Sequence, residues 1–210
     1  MPPVLVEACV DAIDASIEAE RGGAGRLELC GELLQGGVTP SAGLIGAVRN
    51  RVTIPLFVLI RPRAGDFLYS DDEREVMYRD IAVAKSLGAD GVVFGALGVE
   101  GDVDAKTMRA LIEAARPMAV TFHRAFDFTR DRNAAFDALI ALGVDRVLTS
   151  GGAASALAGA GALARLVARS EGKIVVLAGG GVTAANAAEI VRATGVSELH
   201  SRAAGSVESG

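Results

Sequence analysis

Eight short apolar runs punctuate the chain, and amphipathic stretches separate them. The runs are VLVEAC (4–9), RLELC (26–30), PLFVLI (55–60), GVVF (91–94), AVTFH (119–123), RVL (146–148), KIVVL (173–177) and ELH (198–200). Their length and branched side chains predict β-strands. Between them, DAIDASIEAERGG, DDEREVMYRDIAVAKSLGAD and DAKTMRALIEAARP place apolar residues at helical spacing. The second opens on an acidic turn and closes at Gly88, and Pro117 stops the third. Four helices end in one phrase: RGGAGR, SLGADG, ALGVDR and ATGVSE. There a glycine supplies the left-handed stop and the next apolar residue packs back down. The phrase marks βα units of roughly 25 to 30 residues.

Strands alternating with helices require a mostly parallel sheet, and eight such units predict an α/β fold, a (β/α)8 TIM barrel, as a single domain over 1–210. An open doubly wound sheet is the rival. Its dinucleotide fingerprint is missing, since the first βα turn, VEACVDAI, has no glycine. Only SRAAGSVESG follows His200. That tail predicts an eighth helix that is short or missing, with a second copy covering that side in a homodimer.

The polar members of the strands share a period of two. Glu7 with Cys9, Arg26 with Glu28 and Cys30, Thr121 with His123, and Glu198 with His200 fall on common strand faces. The residues between them, Ala8, Leu29, Phe122 and Leu199, are apolar and suit the layer between barrel and helices. The polar members therefore point into the barrel. Both histidines and both cysteines of the chain lie at strand ends, where barrels carry their chemistry.

Composition narrows the partners. Half of the 210 residues are hydrophobic but only 4% aromatic, so aliphatic side chains and glycine fill the core. A net charge of −5 without a basic stripe argues against nucleic acid. No apolar stretch reaches membrane-spanning length, and the start MPPVLVEAC lacks a secretory pattern. Two cysteines in such a chain point to reduced thiols in the cytoplasm.

Cys9 and Cys30 end neighbouring strands about 4.8 Å apart, so their thiols can meet. Each singly reads as a packed small side chain; as a pair they suit a soft ion such as Cu(I). Glu7, Glu28 and Glu198 have two readings of equal weight. They pair with Arg26, Arg61 or Arg124, or one acts as a general base of raised pKa with His123 or His200 as acid. The candidate catalytic set is therefore Glu28, His123, Glu198 and His200. Arg61, Arg63 and Arg124, with the turns around Gly151 and Gly152 and around Gly180, Gly181 and Thr183, look directed at an anion. Thr183 is expected to cap the helix that follows. The alternative for the glycines is that they only make tight turns. Lys85, Lys106 and Lys173 all lie away from the mouth, which disfavours Schiff-base chemistry.

These phrases also carry a resemblance. VEACVD, RGGAGRLELC, GGVTPSAGLI, IRPRAGDFLYSDDE, DIAVAKSLGADGVVFGAL, TFHRAFD, LGVDRVLTSGG, GGGVTAANAAEI and ATGVSELH run in order from about residue 4 to 200. The chain resembles the CutC copper homeostasis family. The resemblance implies a TIM barrel, a cytoplasmic location, a link to copper handling, and Cu(I) held by Cys9 and Cys30 at family cysteine positions. Family members continue further at the C-terminus, which bears on barrel closure and the dimer. The expected partners are thus a copper ion, an anionic small molecule, or both. The competing function is an isomerase- or lyase-type barrel enzyme acting on an anionic or phosphorylated compound.

Overall fold

The eight expected strands close on themselves. A computed structural model describes residues 3–202, and in it β1 (Leu5–Val10), β2 (Arg26–Leu29), β3 (Leu56–Leu59), β4 (Gly91–Phe94), β5 (Ala119–Phe122), β6 (Arg146–Thr149), β7 (Val175–Ala178) and β8 (Glu198–Arg202) form a parallel barrel in sequence order. Pairing of β1 with β8 sets Glu7 beside His200, and pairing with β2 sets it beside Arg26. Closure satisfies every strand edge. Residues 203–210, on which the expectation of a short eighth helix and a covering second copy rests, lie outside the described residues.

Among the described residues, seven α-helices cover the barrel: α1 (Ile13–Arg21), α2 (Ala42–Arg49), α3 (Asp71–Ser86), α4 (Ala105–Ala115), α5 (Arg132–Ala141), α6 (Ala160–Ser170) and α7 (Ala187–Thr194). The shared helix-ending phrase does what its glycine predicts. Gly23, Gly88, Gly143 and Gly195 all adopt positive φ. After three of them the next amide reaches back five residues: Ala24 to Ala19, Ala89 to Ala84 and Val144 to Leu139. α3 starts on a reciprocal cap, with Ser70 Oγ accepting from the Glu73 amide and the Glu73 carboxylate accepting from the Ser70 amide. α7 starts later than expected. Asn186, not Thr183, stands at its cap position, and the Asn186 side chain accepts from the Thr183 amide. Five residues, 182–186, therefore separate the β7 glycines from the helix.

Alternation along the strands splits the interior in two. Ala8, Leu29, Phe122 and Leu199 join the large apolar layer under the helices. Cys9, Cys30, Phe57, Leu59 and Val93 pack together inside the barrel. Below them lies an ionic layer. Arg26, only 2% exposed, donates from Nε to Glu7 and from Nη2 to Glu198, both at 2.5 Å. Arg146 Nε donates to Glu198 at 3.1 Å. The Phe57 ring lies 4.9 Å from the Arg26 guanidinium and 5.3 Å from that of Arg146. It fits because Gly91 has no side chain; a Cβ there would come within 2.5 Å of the ring.

Two carboxylates and two guanidinium groups balance, and this balance is what makes burial tolerable. Removing one cation strands its partners. Arg26→Met should destabilise the fold by roughly 3–5 kcal/mol, because it leaves Glu7 without its guanidinium partner and Glu198 with only Arg146. Urea denaturation measures this, and a loss below about 1 kcal/mol would contradict the assigned role.

Candidate functional site

The barrel mouth holds a cavity of about 550 Å³, within the range of small-molecule sites. Its lining includes Cys9, Glu28, Cys30 and His200, then Leu59, Arg61, Phe67 and His123, and Gly180 to Thr183 with Arg202. The strands supply these residues from their C-terminal ends, as the alternation predicts.

The two thiols meet. Cys9 Sγ and Cys30 Sγ lie 3.5 Å apart, both free and both buried. Cys30 Sγ donates toward Glu28 Oε1 at 3.4 Å. One candidate ligand group contains Cys9, Glu28 and Cys30, and a second contains Glu7, Glu28 and His200. His200 Nδ1 bonds Glu7 Oε1 at 2.7 Å and stands 3.5 Å from Glu28 Oε2.

The protonation pattern follows from three acids around one imidazole. The hydrogen bond from Cys30 is the main reason the Cys9 thiol is held down at about 6; burial opposes it and His200 assists. The same bond, with burial, pushes Cys30 well above the ordinary thiol range. Burial disfavours the His200 imidazolium, but Glu28, Cys9 and Glu7 outweigh it and raise the group well above its usual value. Burial would likewise raise Glu7, and its bond to His200, the charges of His200 and Arg26, and its bond to Arg26 reverse that. One imidazolium cannot compensate three buried anions. Burial, then the Cys9 sulfur, pushes Glu28 up to about 8, so Glu28 keeps its proton at neutral pH.

The remaining expected site residues divide. His123, Arg61, Arg124, Gly180, Gly181 and Thr183 line the cavity; Glu198, Arg63, Gly151 and Gly152 do not. Glu198 is held below by Arg26 and Arg146, which removes it from proton handling in the mouth. Arg63 turns outward to Glu73 and Asp66. The turn at Gly151 and Gly152 meets an anion, but that anion is the chain's own Asp127. Its carboxylate accepts from Thr149 Oγ1 (2.5 Å), the Ser150 amide (3.1 Å) and the Gly152 amide (2.9 Å), and it pairs with Arg124 Nε (2.9 Å). Burial and then the Arg61 charge press His123 down to about 3, so it is a neutral ring and not a general acid at physiological pH.

Three contributors escaped the sequence reading: Arg146, Phe67 and the anchoring role of Asp127. Arg146 had a visible signal. It opens its strand as Arg26 does, in RVLTS as in RLELC.

Comparison with known proteins agrees with the fold. The CutC family profile matches residues 4–205. A mouse protein named copper homeostasis protein cutC homolog is 51% identical over 98% of this chain and 76% of its own length. The human protein of that name is 50% identical over the same shares. A crystal structure of a copper homeostasis protein CutC from Streptococcus agalactiae superposes with a TM-score of 0.91 at 32% identity, covering 96% of this chain and all of that one. Aldolases and phosphomutases at 12–17% identity share the barrel fold alone. The closed parallel barrel and the near-complete match in sequence together show that this chain belongs to the CutC family.

Proposed function

We propose that the protein serves copper homeostasis in the cytoplasm by holding Cu(I) between the sulfurs of Cys9 and Cys30. The observation that carries this reading is the 3.5 Å approach of two free thiols on the wall of an accessible cavity. Neighbouring thiolates suit a soft monovalent ion. Among the described residues, the Glu28 carboxyl lies within 4.8 Å of both sulfurs, a hard oxygen donor whose proton is retained up to about pH 8, and His200 reaches Cys9. A structural zinc site needs four ligands. The names of the mouse and human relatives support a copper role, and an unlinked thiol pair fits a reducing compartment. Cys9 is the sulfur prepared to receive the ion, and Cys30 gives up its proton when the ion arrives.

Under reducing conditions, titration against a chromogenic Cu(I) chelator should show wild type taking about one equivalent. Cys9→Ser with Cys30→Ser should weaken the affinity by at least ~100-fold, as expected when metal ligands are removed. Equal competition by the double variant would remove the proposal.

Affinity should also depend on pH in two regimes. Above about pH 6 Cys9 is already a thiolate, and binding displaces about one proton, from Cys30. Below about 6 Cys9 is protonated as well, and about two protons leave. Affinity for Cu(I) should therefore fall more steeply with acidification below about 6 than above it. Calorimetry in buffers of different ionisation enthalpy measures the proton count, and a count that stays constant across that pH contradicts the assignment.

A further inference from the structure

The copper reading leaves one side of the cavity without a role, and that side has an unusual feature. Arg61 is 7% exposed and has no carboxylate within salt-bridge reach among the described residues. Its terminal nitrogens are fixed by neutral acceptors. Nη1 donates to the carbonyls of Gly36 (3.1 Å) and Gly37 (2.9 Å), and Nη2 donates to that of Gly65 (2.8 Å). The Phe67 ring lies 5.1 Å from the guanidinium carbon. The buried Nε has no acceptor. A buried cation that meets carbonyls, an aromatic face and the nearby Tyr69 hydroxyl, but no carboxylate, is incomplete.

His123 stands against the same Phe67, with ring centroids 4.8 Å apart, and is 6% exposed. Its Nδ1 accepts from the Ala125 amide at 3.3 Å. In the neutral ring this places the proton on Nε2. Nε2 is buried and has no partner. Gly95 holds the ring in this seat, since a Cβ there would come within 2.7 Å of Nδ1. Two residues that line the cavity, each more than nine-tenths buried, thus carry an N–H donor without an acceptor in the protein.

The charge of the cavity points the same way. In a chain of net charge −5, the lining among the described residues holds Arg61 and Arg202 without a carboxylate partner, and Arg124 paired with Asp127. Gly180 and Gly181, also in the lining, both take positive φ. The amides of Gly180, Gly181 and Val182 donate to no acceptor among the described residues. Successive free amides in such a turn form an anion-binding concavity.

We propose that the mouth cavity binds a small organic compound with two anionic groups on a short carbon skeleton. One group is held at the part of the lining formed by Arg61 and His123, and the other at the amides of residues 180–182. Arg61 supplies the charge for the first group and His123 a neutral, directional donor. Compounds carrying a carboxylate with a phosphate, or two carboxylates, share this chemistry.

The test uses reduced, metal-free protein and three probes: 2-phosphoglycolate, malonate and inorganic phosphate. Calorimetry should show saturable binding of at least one of the two organic dianions. His123→Phe keeps an aromatic ring against Phe67 but removes the donor, and should weaken that binding by about tenfold or more. On wild type, the Nε2–H proton resonance of His123 should shift when the probe is added, a readout that does not depend on any variant folding. Tighter binding of 2-phosphoglycolate would identify a phosphate group, and tighter binding of malonate a second carboxylate. Because the probes are titrated into metal-free wild type, their binding does not depend on whether the thiols take Cu(I), which separates this site from the copper proposal. The inference is overturned if neither organic probe saturates below about 10 mM. It is equally overturned if His123→Phe binds as wild type with the resonance unmoved, or if inorganic phosphate alone binds.

Discussion

The clamp on Arg26 is the constraint on which the rest depends. Its guanidinium bonds a carboxylate from β1 and another from β8, so one side chain joins three consecutive strands across the point where the barrel closes. The attraction within such a cluster offsets the cost of dehydrating it only when every charge is matched. Arg146 completes the match by holding Glu198 from β6. With the lower barrel thus fixed, Glu7 has one oxygen committed to Arg26 and the other to His200. The imidazole is therefore oriented from below, and its charge is available to the sulfur of Cys9. The electrostatic state of the thiol pair is inherited from an ion cluster that touches neither sulfur directly.

Much of this was readable in residue order. Period-two alternation in VEAC and RLELC was enough to place Glu7, Cys9, Glu28 and Cys30 inside, and parallel neighbours at a fixed spacing brought the thiols together. The helix-ending phrase worked because its cause is local: a glycine at positive φ and an apolar residue behind it. Partner choice was less legible, because it depends on where strands lie around a closed ring. Nothing near Glu198 in sequence points to Arg146, 52 residues away. Arg61 and Glu28 looked like natural partners, yet the turns after β2 and β3 wrap Arg61 in carbonyls instead. The Gly151–Gly152 turn has the form of an anion site, but Asp127, 23 residues before Ser150, fills it. Local sequence describes a receptor and leaves open which acceptor reaches it first.

The two ends of the mouth consequently differ in character. The Cys9–Cys30 side is rich in acids that share too few protons, and its members hydrogen-bond one another. The Arg61–His123 side is rich in donors that lack acceptors. Groups of both characters thus line one chamber.

The aromatic ring of Phe57 gives the chamber a further property. Lying between Arg26 and Arg146 in the space that Gly91 vacates, it stoppers the barrel beneath the sulfurs. The floor under the thiols is therefore ionic and aromatic, and the cavity they line also holds Arg61, His123 and the glycine turn. An occupant held by those residues would share one chamber with whatever rests on the sulfurs, so the dwell time of each would depend on the other.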